Sequence, residues 1–275
     1  MKKSEENWKN RKETGNYISH AGGAYHQHRM EVCRSLVERS DLKDKEALDF
    51  ACGEGLFMEQ MIAMKANSVI GIDVDQEMLD KAPSELRQNP KVKFIKGDLK
   101  SLLSIPDNSL SLITAFSVTA YFSPEEDHFF YQQAHRVLRR DGILALSHSN
   151  LIFDFFSLNR FTVSTMLETL IENDHLSRTE MESLLRFPKD PEGKASFATR
   201  ENPLTYEHKV SGLGFIEEKR VFANYHPMPP PLSPPEERAN PNLKEYRNTI
   251  EWPEEDKWKL LFQCSIFASR LRKLS

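Results

Sequence analysis

The sequence predicts an α/β fold: a mostly parallel sheet with helices on both faces and a ligand at the carboxyl ends of its strands. Three observations carry this expectation. Short apolar runs alternate with amphipathic stretches through the first 150 residues. Three successive runs end in an acid, at Asp49, Asp73 and Asp98. The first of them opens into the small-residue turn Ala51-Cys52-Gly53-Glu54-Gly55, the strand–turn–helix unit with which a nucleotide-binding sheet begins.

Taken in order, the first 20 residues are polar except for Trp8, Tyr17 and Ile18, so this arm is expected to fold over something. An amphipathic helix carrying Met30, Cys33, Leu36 and Val37 follows. His20, His26 and His28 stand nearby, but His26 and His28 are two apart and do not share a helix face. No cysteine or acid completes a ligand set, so no metal is expected. Strand one is Ala47-Leu48-Asp49-Phe50, and Phe57, Met58, Met61 and Ile62 mark the helix after the turn. Gly53 and Gly55 suit a turn that a ligand approaches closely. Strand two, Val69-Ile70-Gly71-Ile72-Asp73, delivers an acid about 20 residues on, where a nucleotide-binding fold places the acceptor for ribose hydroxyls. Strand three ends at Gly97, before Asp98-Leu99, a carboxylate and an apolar residue that suit the amine and flat face of adenine.

Strand four is Leu110 to Phe116, and Ser123-Pro124-Glu125-Glu126 caps the next helix. Strand five runs from Ile143 to Ser147. Residues 151–205 exceed a minimal sheet. They hold the aromatic run Phe153-Asp154-Phe155-Phe156, a helical stripe from Val163 to Ile171, and a capping box, Ser177-Arg178-Thr179-Glu180. Leaving the carboxyl end of strand five, this insertion is expected to be a helical substrate lid. A helix near 205–213 and strand six through Tyr225 resume the core. The proline-rich stretch from His226 to Pro235 reads as a rigid connector, although Pro231-Leu232-Ser233-Pro234 also has the form of a polyproline ligand. A last strand is expected from Phe262 to Ala268.

Composition narrows the function. The chain has 275 residues, is 39% hydrophobic and 28% charged, and carries a net charge of −4. That is an ordinary globular composition without the basic field of a nucleic-acid binder. Its three cysteines, Cys33, Cys52 and Cys264, are widely spaced and make neither a disulfide framework nor a metal set. No apolar run is long enough to span a membrane, and no apolar leader follows the charged start. A cytoplasmic location is therefore expected.

On the turn from Asp49 to Gly55, on Asp73, on Asp98-Leu99, and on Leu138-Arg139-Arg140-Asp141-Gly142 before strand five, the chain resembles the class I S-adenosylmethionine (SAM)-dependent methyltransferases. It departs from them at Ala51, where glycine is commoner. The resemblance implies a seven-stranded, Rossmann-like sheet whose last strand returns antiparallel. It implies SAM as cofactor, leaving S-adenosylhomocysteine (SAH). Binding residues implied are Tyr25, Arg29, Asp49, Ala51, Gly53, Gly55, Asp73, Val74, Met78, Asp98, Leu99, Phe116 and Ser117, with Phe116 and Ser117 beside the methionine portion. Residues 1–40 would cover the cofactor, 41–150 form its core, 151–205 the lid, and 206–275 complete the sheet. Ala51 and Glu54 disfavour NAD, whose pyrophosphate needs a third glycine and no acid in the turn.

A hydroxyl acceptor must lose a proton, and His148 and His226 each follow a strand whose end should face the cofactor. Both are candidates for the base, with Tyr121 next. The function expected is O-methylation of a small hydroxylated metabolite, such as a sugar or glycoconjugate precursor. The alternatives are N- or C-methylation of another small molecule, and a catalytically silent SAM-binding partner subunit.

Overall fold

In the computed structural model of the chain, the described residues are 4–6, 8–9, 24–158, 162, 199–229 and 254–274, with the backbone alone at 24–26. The expected lid helices at 163–171 and 177–185, and the connector beyond residue 229, lie outside them.

Seven strands form one sheet in the order β3-β2-β1-β4-β5-β7-β6. They are β1 Glu46–Phe50, β2 Ser68–Asp73, β3 Val92–Lys96, β4 Leu110–Ala115, β5 Leu138–Ser149, β6 Phe215–Tyr225 and β7 Cys264–Lys273. β1 lies parallel to β2 and β4, β2 to β3, and β4 to β5. β7 is antiparallel to both β5 and β6. Two antiparallel steps restore direction, so β6 ends at the same edge as β5. The order of the strands reverses between β1 and β4, and the crevice there is where an open α/β sheet takes its ligand.

The helices are α1 Ala24–Arg34, α2 Arg39–Leu42, α3 Leu56–Ala63, α4 Gln76–Asp80, α5 Ser84–Arg87, α6 Pro124–Val137, α7 Phe153–Ser157, α8 Tyr206–Gly212 and α9 Trp258–Gln263. One face of the sheet packs Leu48, Ile113, Leu144 and Phe267 against Phe130, Tyr131 and Val137 of α6 and Tyr206 of α8. The other packs Ala47, Val69, Leu112 and Ala145 against Cys33, Leu36, Phe57 and Met61. The central strands β1, β4 and β5 are buried on both sides, which is why their apolar runs are nearly continuous, whereas β3 and β6 at the edges are partly exposed. The start of α6 is the capping box expected from sequence: Ser123 Oγ accepts from Glu126 N at 3.3 Å while Glu126 Oε2 accepts from Ser123 N at 3.0 Å.

Two boundaries differ from expectation. β5 begins at Leu138, which pairs with Leu110 before the register shifts at the Asp141-Gly142 kink. β7 spans Cys264–Lys273, leaving Phe262 half exposed on α9. Its sequence hides this strand because Ser269-Arg270 interrupts the apolar pattern. The interruption is tolerated because Asp41 grips the buried Arg270 with both oxygens, at 2.5 and 2.9 Å, and Glu218 adds a third bond at 3.0 Å.

Candidate active site

The turn after β1 is built from left-handed backbone. Ala51, Gly53 and Gly55 have φ of 61°, 54° and 78°. At Gly55 no side chain fits, since a Cβ would stand 2.8 Å from both Leu86 Cδ2 and Phe94 Cζ. Ala51 accepts a conformation that disfavours L-residues by about 1–2 kcal/mol, held by its N–H on the Ile72 carbonyl at 2.7 Å. This strain is the consequence of the departure from glycine seen in the sequence.

Around this turn the three strand-end acids are not equivalent. Asp49 is buried within β1, and its Oδ1 accepts from Thr114 Oγ1 of β4 at 2.6 Å. Burial pushes its carboxyl up to about 7; the Thr114 hydroxyl opposes the rise, the charge of Asp73 adds to it, and Arg34 opposes it. Asp73 ends β2, and its two oxygens accept from Gly53 N at 2.8 Å and Asp75 N at 2.9 Å. Burial raises its pKa as well, against those backbone N–H groups. Asp98 is partly exposed and caps the short helical turn Leu99–Ser104 by accepting from Lys100 N at 2.9 Å. Leu99 beside it is buried. Met78, on α4, faces the turn: a Cβ on Gly53 would lie in ordinary contact with its Cε. Val74 links Asp73 to α4 and is partly buried.

The loop after β4 forms the other wall. Phe116 is buried and tilts against Phe57 with ring centroids 5.5 Å apart. Ser117 has φ of 63°; its N–H donates to Ser147 Oγ at 2.8 Å, and its own Oγ is buried with no hydrogen-bond partner. Helix α1 packs on β5, and the charge of its Arg29 acts on the buried Cys33 of the same helix, so α1 reaches this wall. Tyr25 lies on the first turn of the same helix.

Sequence reasoning expected the arm to fold over something but did not name what Trp8 would meet. Trp8 donates its indole N–H to Asp75 Oδ2 at 3.1 Å and meets Tyr121 edge to face at 5.8 Å, bridging the loops after β2 and β4. Ser4 donates to Glu126 Oε1 at 3.1 Å, fixing the arm to the start of α6. The only sequence signal was an aromatic residue in a polar arm.

The candidate bases part company. His148 is fully enclosed, with both ring nitrogens at hydrogen-bond distance from buried hydroxyls and its ring packed on Phe267. Burial, with the charges of Lys209 and Arg220, holds its pKa well below the usual imidazole value. This geometry speaks against His148 as the acceptor base, since no ring nitrogen faces the edge. Tyr121 is buried under Trp8. His226 follows β6, is partly exposed, and stacks on Phe153 of α7 at 4.9 Å; burial lowers its pKa to about 4. The insertion leaves and returns beside β5: Glu201 N donates to Ser149 O and Leu151 N to Glu201 O, each at 2.9 Å. Thr199 ties the return to the loop after β4 through Ala120 O, at 2.8 Å, and Phe122 O, at 2.5 Å.

Residues 47–142 match the family described as a methyltransferase domain. The first part of the sheet, β1 to the start of β5, is thus a methyltransferase domain. Among solved structures, a SAM-dependent methyltransferase from Mesorhizobium loti is similar over 90% of this chain and 98% of its own, at 13% identity and a TM-score of 0.56. The 4+2 cyclase SpnF is similar over 89% and 80%, at 15% identity and a TM-score of 0.53. At such identities the likeness is one of fold, which hosts more than one chemistry. Among curated relatives, the ribosomal protein L11 methyltransferase of Shewanella baltica is 31% identical over 58 residues, 21% of this chain and only 20% of that protein. Family and fold imply SAM as the cofactor of the methyltransferase domain. The residues present fit it: a turn of left-handed backbone at Gly53 and Gly55, the Asp73 carboxylate beside that turn, and an unpartnered buried hydroxyl at Ser117. Among the described residues no metal-ligating cluster occurs, and no helix is long and apolar enough to cross a membrane.

Proposed function

We propose that the chain is a SAM-dependent methyltransferase acting on the hydroxyl of a small metabolite, such as a sugar or glycoconjugate precursor. The observation that carries the cofactor half is the Asp73 carboxylate, held between Gly53 N and Asp75 N at the switch point of the sheet. Its remaining lone pairs are available to two vicinal ribose hydroxyls. Asp98 and Leu99 serve the adenine, and Phe116 and Ser117 the methionine portion, with Tyr25 and Arg29 contributed by the covering helix. Bound there, SAM supplies an electrophilic methyl group on its sulfonium sulfur.

The chain's own work is then positioning. Trp8 and residues 1–40 cover the cofactor, and the insertion at 151–205, tied at both ends to β5, covers the acceptor. A small acceptor suits a site enclosed from two sides. His226 is the group we assign to the acceptor proton: its imidazole is neutral at ordinary pH and stands beside the aromatic Phe153 at the shared strand edge. An amine or carbon acceptor is the alternative within the same site.

Calorimetry with SAM, followed by transfer of a labelled methyl group to sugar and amine panels, tests the reading. Micromolar SAM binding, about −8 kcal/mol, and labelled hydroxyl products are expected. Folded protein that binds no SAM would refute it, and label confined to amines would replace the acceptor class.

A further inference from the structure

Four side chains form a hydrogen-bonded chain beneath the loop that follows β4. Tyr131 of α6 meets Tyr206 of α8 at 2.8 Å between hydroxyls. The Tyr206 hydroxyl meets His148 Nε2 at 3.0 Å, and His148 Nδ1 meets Thr119 Oγ1 at 3.1 Å. Thr119 Oγ1 in turn donates to the Ser147 carbonyl at 2.8 Å. All four side chains are buried.

The last link fixes the rest. A threonine hydroxyl has one hydrogen, and here the carbonyl takes it, so Thr119 receives from His148 Nδ1. Burial and the nearby cations Lys209 and Arg220 keep the imidazole neutral. Nε2 therefore carries no proton and accepts from Tyr206, whose oxygen accepts from Tyr131. Every donor points one way, from α6 to the end of β5, and each hydroxyl hydrogen in the chain has an acceptor.

The chain ends where the site needs support. Ser117 is held in left-handed backbone, a conformation that costs a non-glycine residue about 1–2 kcal/mol and persists only where its surroundings impose it. Ser147 and His148 impose it. Ser147 Oγ accepts from Ser117 N, the Ser147 carbonyl accepts from Thr119, and His148 donates to the same Thr119. The pinned segment carries Phe116 and Ser117, the wall assigned to the methionine end of the cofactor.

We propose that His148 is a positioning residue: as the neutral Nδ1–H tautomer it locks the loop after β4 in the form that receives the methionine portion of SAM. This rests on the cofactor reading above. The assignment explains why a histidine at a strand end is enclosed: a neutral imidazole donates at one nitrogen and accepts at the other, which links two hydroxyls of opposite sense.

Imidazole 15N NMR on the full chain tests the tautomer. His148 should show a protonated Nδ1 and a bare Nε2, unchanged from pH 5 to 9, and Tyr206→Phe should leave the tautomer as it is, because the Thr119–Ser147 bond sets it. SAH calorimetry tests the role. The amide nitrogen of asparagine lies two bonds beyond Cβ, as Nδ1 does, so His148→Asn keeps the donor toward Thr119. His148→Leu keeps only packing. The asparagine variant should bind SAH within about threefold of the parent and the leucine variant about tenfold more weakly or worse, the effect of one lost hydrogen bond. An Nε2–H tautomer, titration of His148 between pH 5 and 8, or parent-like SAH affinity in a folded leucine variant would each overturn the proposal. The NMR arm needs no variant, so it decides even where substitution prevents folding. Parent protein that binds no SAH, with the Nδ1–H tautomer intact, would instead locate the failure in the cofactor reading and reduce the chain to a structural element.

Discussion

Replacing Asp49 by asparagine measures the electrostatics of the turn. The Asp49 carboxyl is buried, accepts from Thr114 at 2.6 Å, and titrates near 7 instead of 3.8. At about 1.36 kcal/mol for each tenfold change in acid strength, the ionised group costs the folded state about 4 kcal/mol. The sign follows from linkage. Between pH 3.8 and about 7 the folded chain binds more protons at this site than the unfolded chain, so the contribution to stability falls as pH rises through that window. The penalty is absent at lower pH and complete above about 7.

Asparagine has no such window. Its amide oxygen can still accept from Thr114, but its NH2 is a donor set in a buried site built to donate to a carboxylate, at a cost of about 1–3 kcal/mol. At pH 8 relief of the buried charge outweighs this cost, and Asp49→Asn should stabilise by about 1–3 kcal/mol. At pH 4 there is little charge to relieve, and the same substitution should destabilise by about 1–2 kcal/mol. Urea unfolding of both proteins from pH 4 to 8 checks this, since all other titrating groups are common to the pair. A stability difference constant across that range would refute the reasoning.

Asp73→Ala removes the acceptor assigned to the ribose and should weaken SAM binding by roughly 1–3 kcal/mol. Calorimetry reads this directly, and unaltered affinity would displace Asp73 from the cofactor site. With Trp252 and Trp258 replaced by phenylalanine, the emission of Trp8 should shift when SAH binds; a spectrum indifferent to saturating SAH would place the arm away from the cofactor. His226→Asn should lower kcat by roughly 10²–10⁴ while leaving SAM affinity unchanged. A base must be neutral to accept a proton, so the parent rate should fall as pH drops through about 4 and stay level above pH 6. Wild-type rates in the variant would remove His226 from the chemistry.

What the sequence disclosed was what neighbours in the chain determine. The residues of the Asp49–Gly55 turn and of the capping box at Ser123 stand contiguously in the chain and could be read there, although the turn is held by Ile72 and Asp73, about 20 residues on. The boundaries of β7 were not legible, because Arg270 is acceptable inside the sheet only through Asp41, which lies 229 residues away. The bond between Asp49 and Thr114 likewise depends on the register of β1 against β4, where the two residues lie side by side. Ala51 read only as a departure from the commoner glycine, and its strain is visible only as a positive φ.

The two histidines show where pattern reading stops. Both follow apolar strands, and both strands run to the same edge, so position along the chain makes them equal candidates for one task. Position along a strand sets the height of a side chain above the sheet; the parity of the residue sets the face, and adjacent residues take opposite faces. On β5, Ser147 turns toward Cys33 and the Ser117 loop, while His148 turns into the interface with Phe267 and Tyr206. Nothing in the apolar run before Ser147 distinguishes these outcomes, because both faces of β5 are covered. Only the arrival of Tyr206, 58 residues later, gives His148 its second partner. His226 lies just beyond the last pair of β6 with β7, where cover thins, and its ring is left against Phe153 with part of it open. A titratable side chain one residue inside a doubly covered strand is therefore a frame element by default, and one just past the end of its ladder is the better candidate for chemistry.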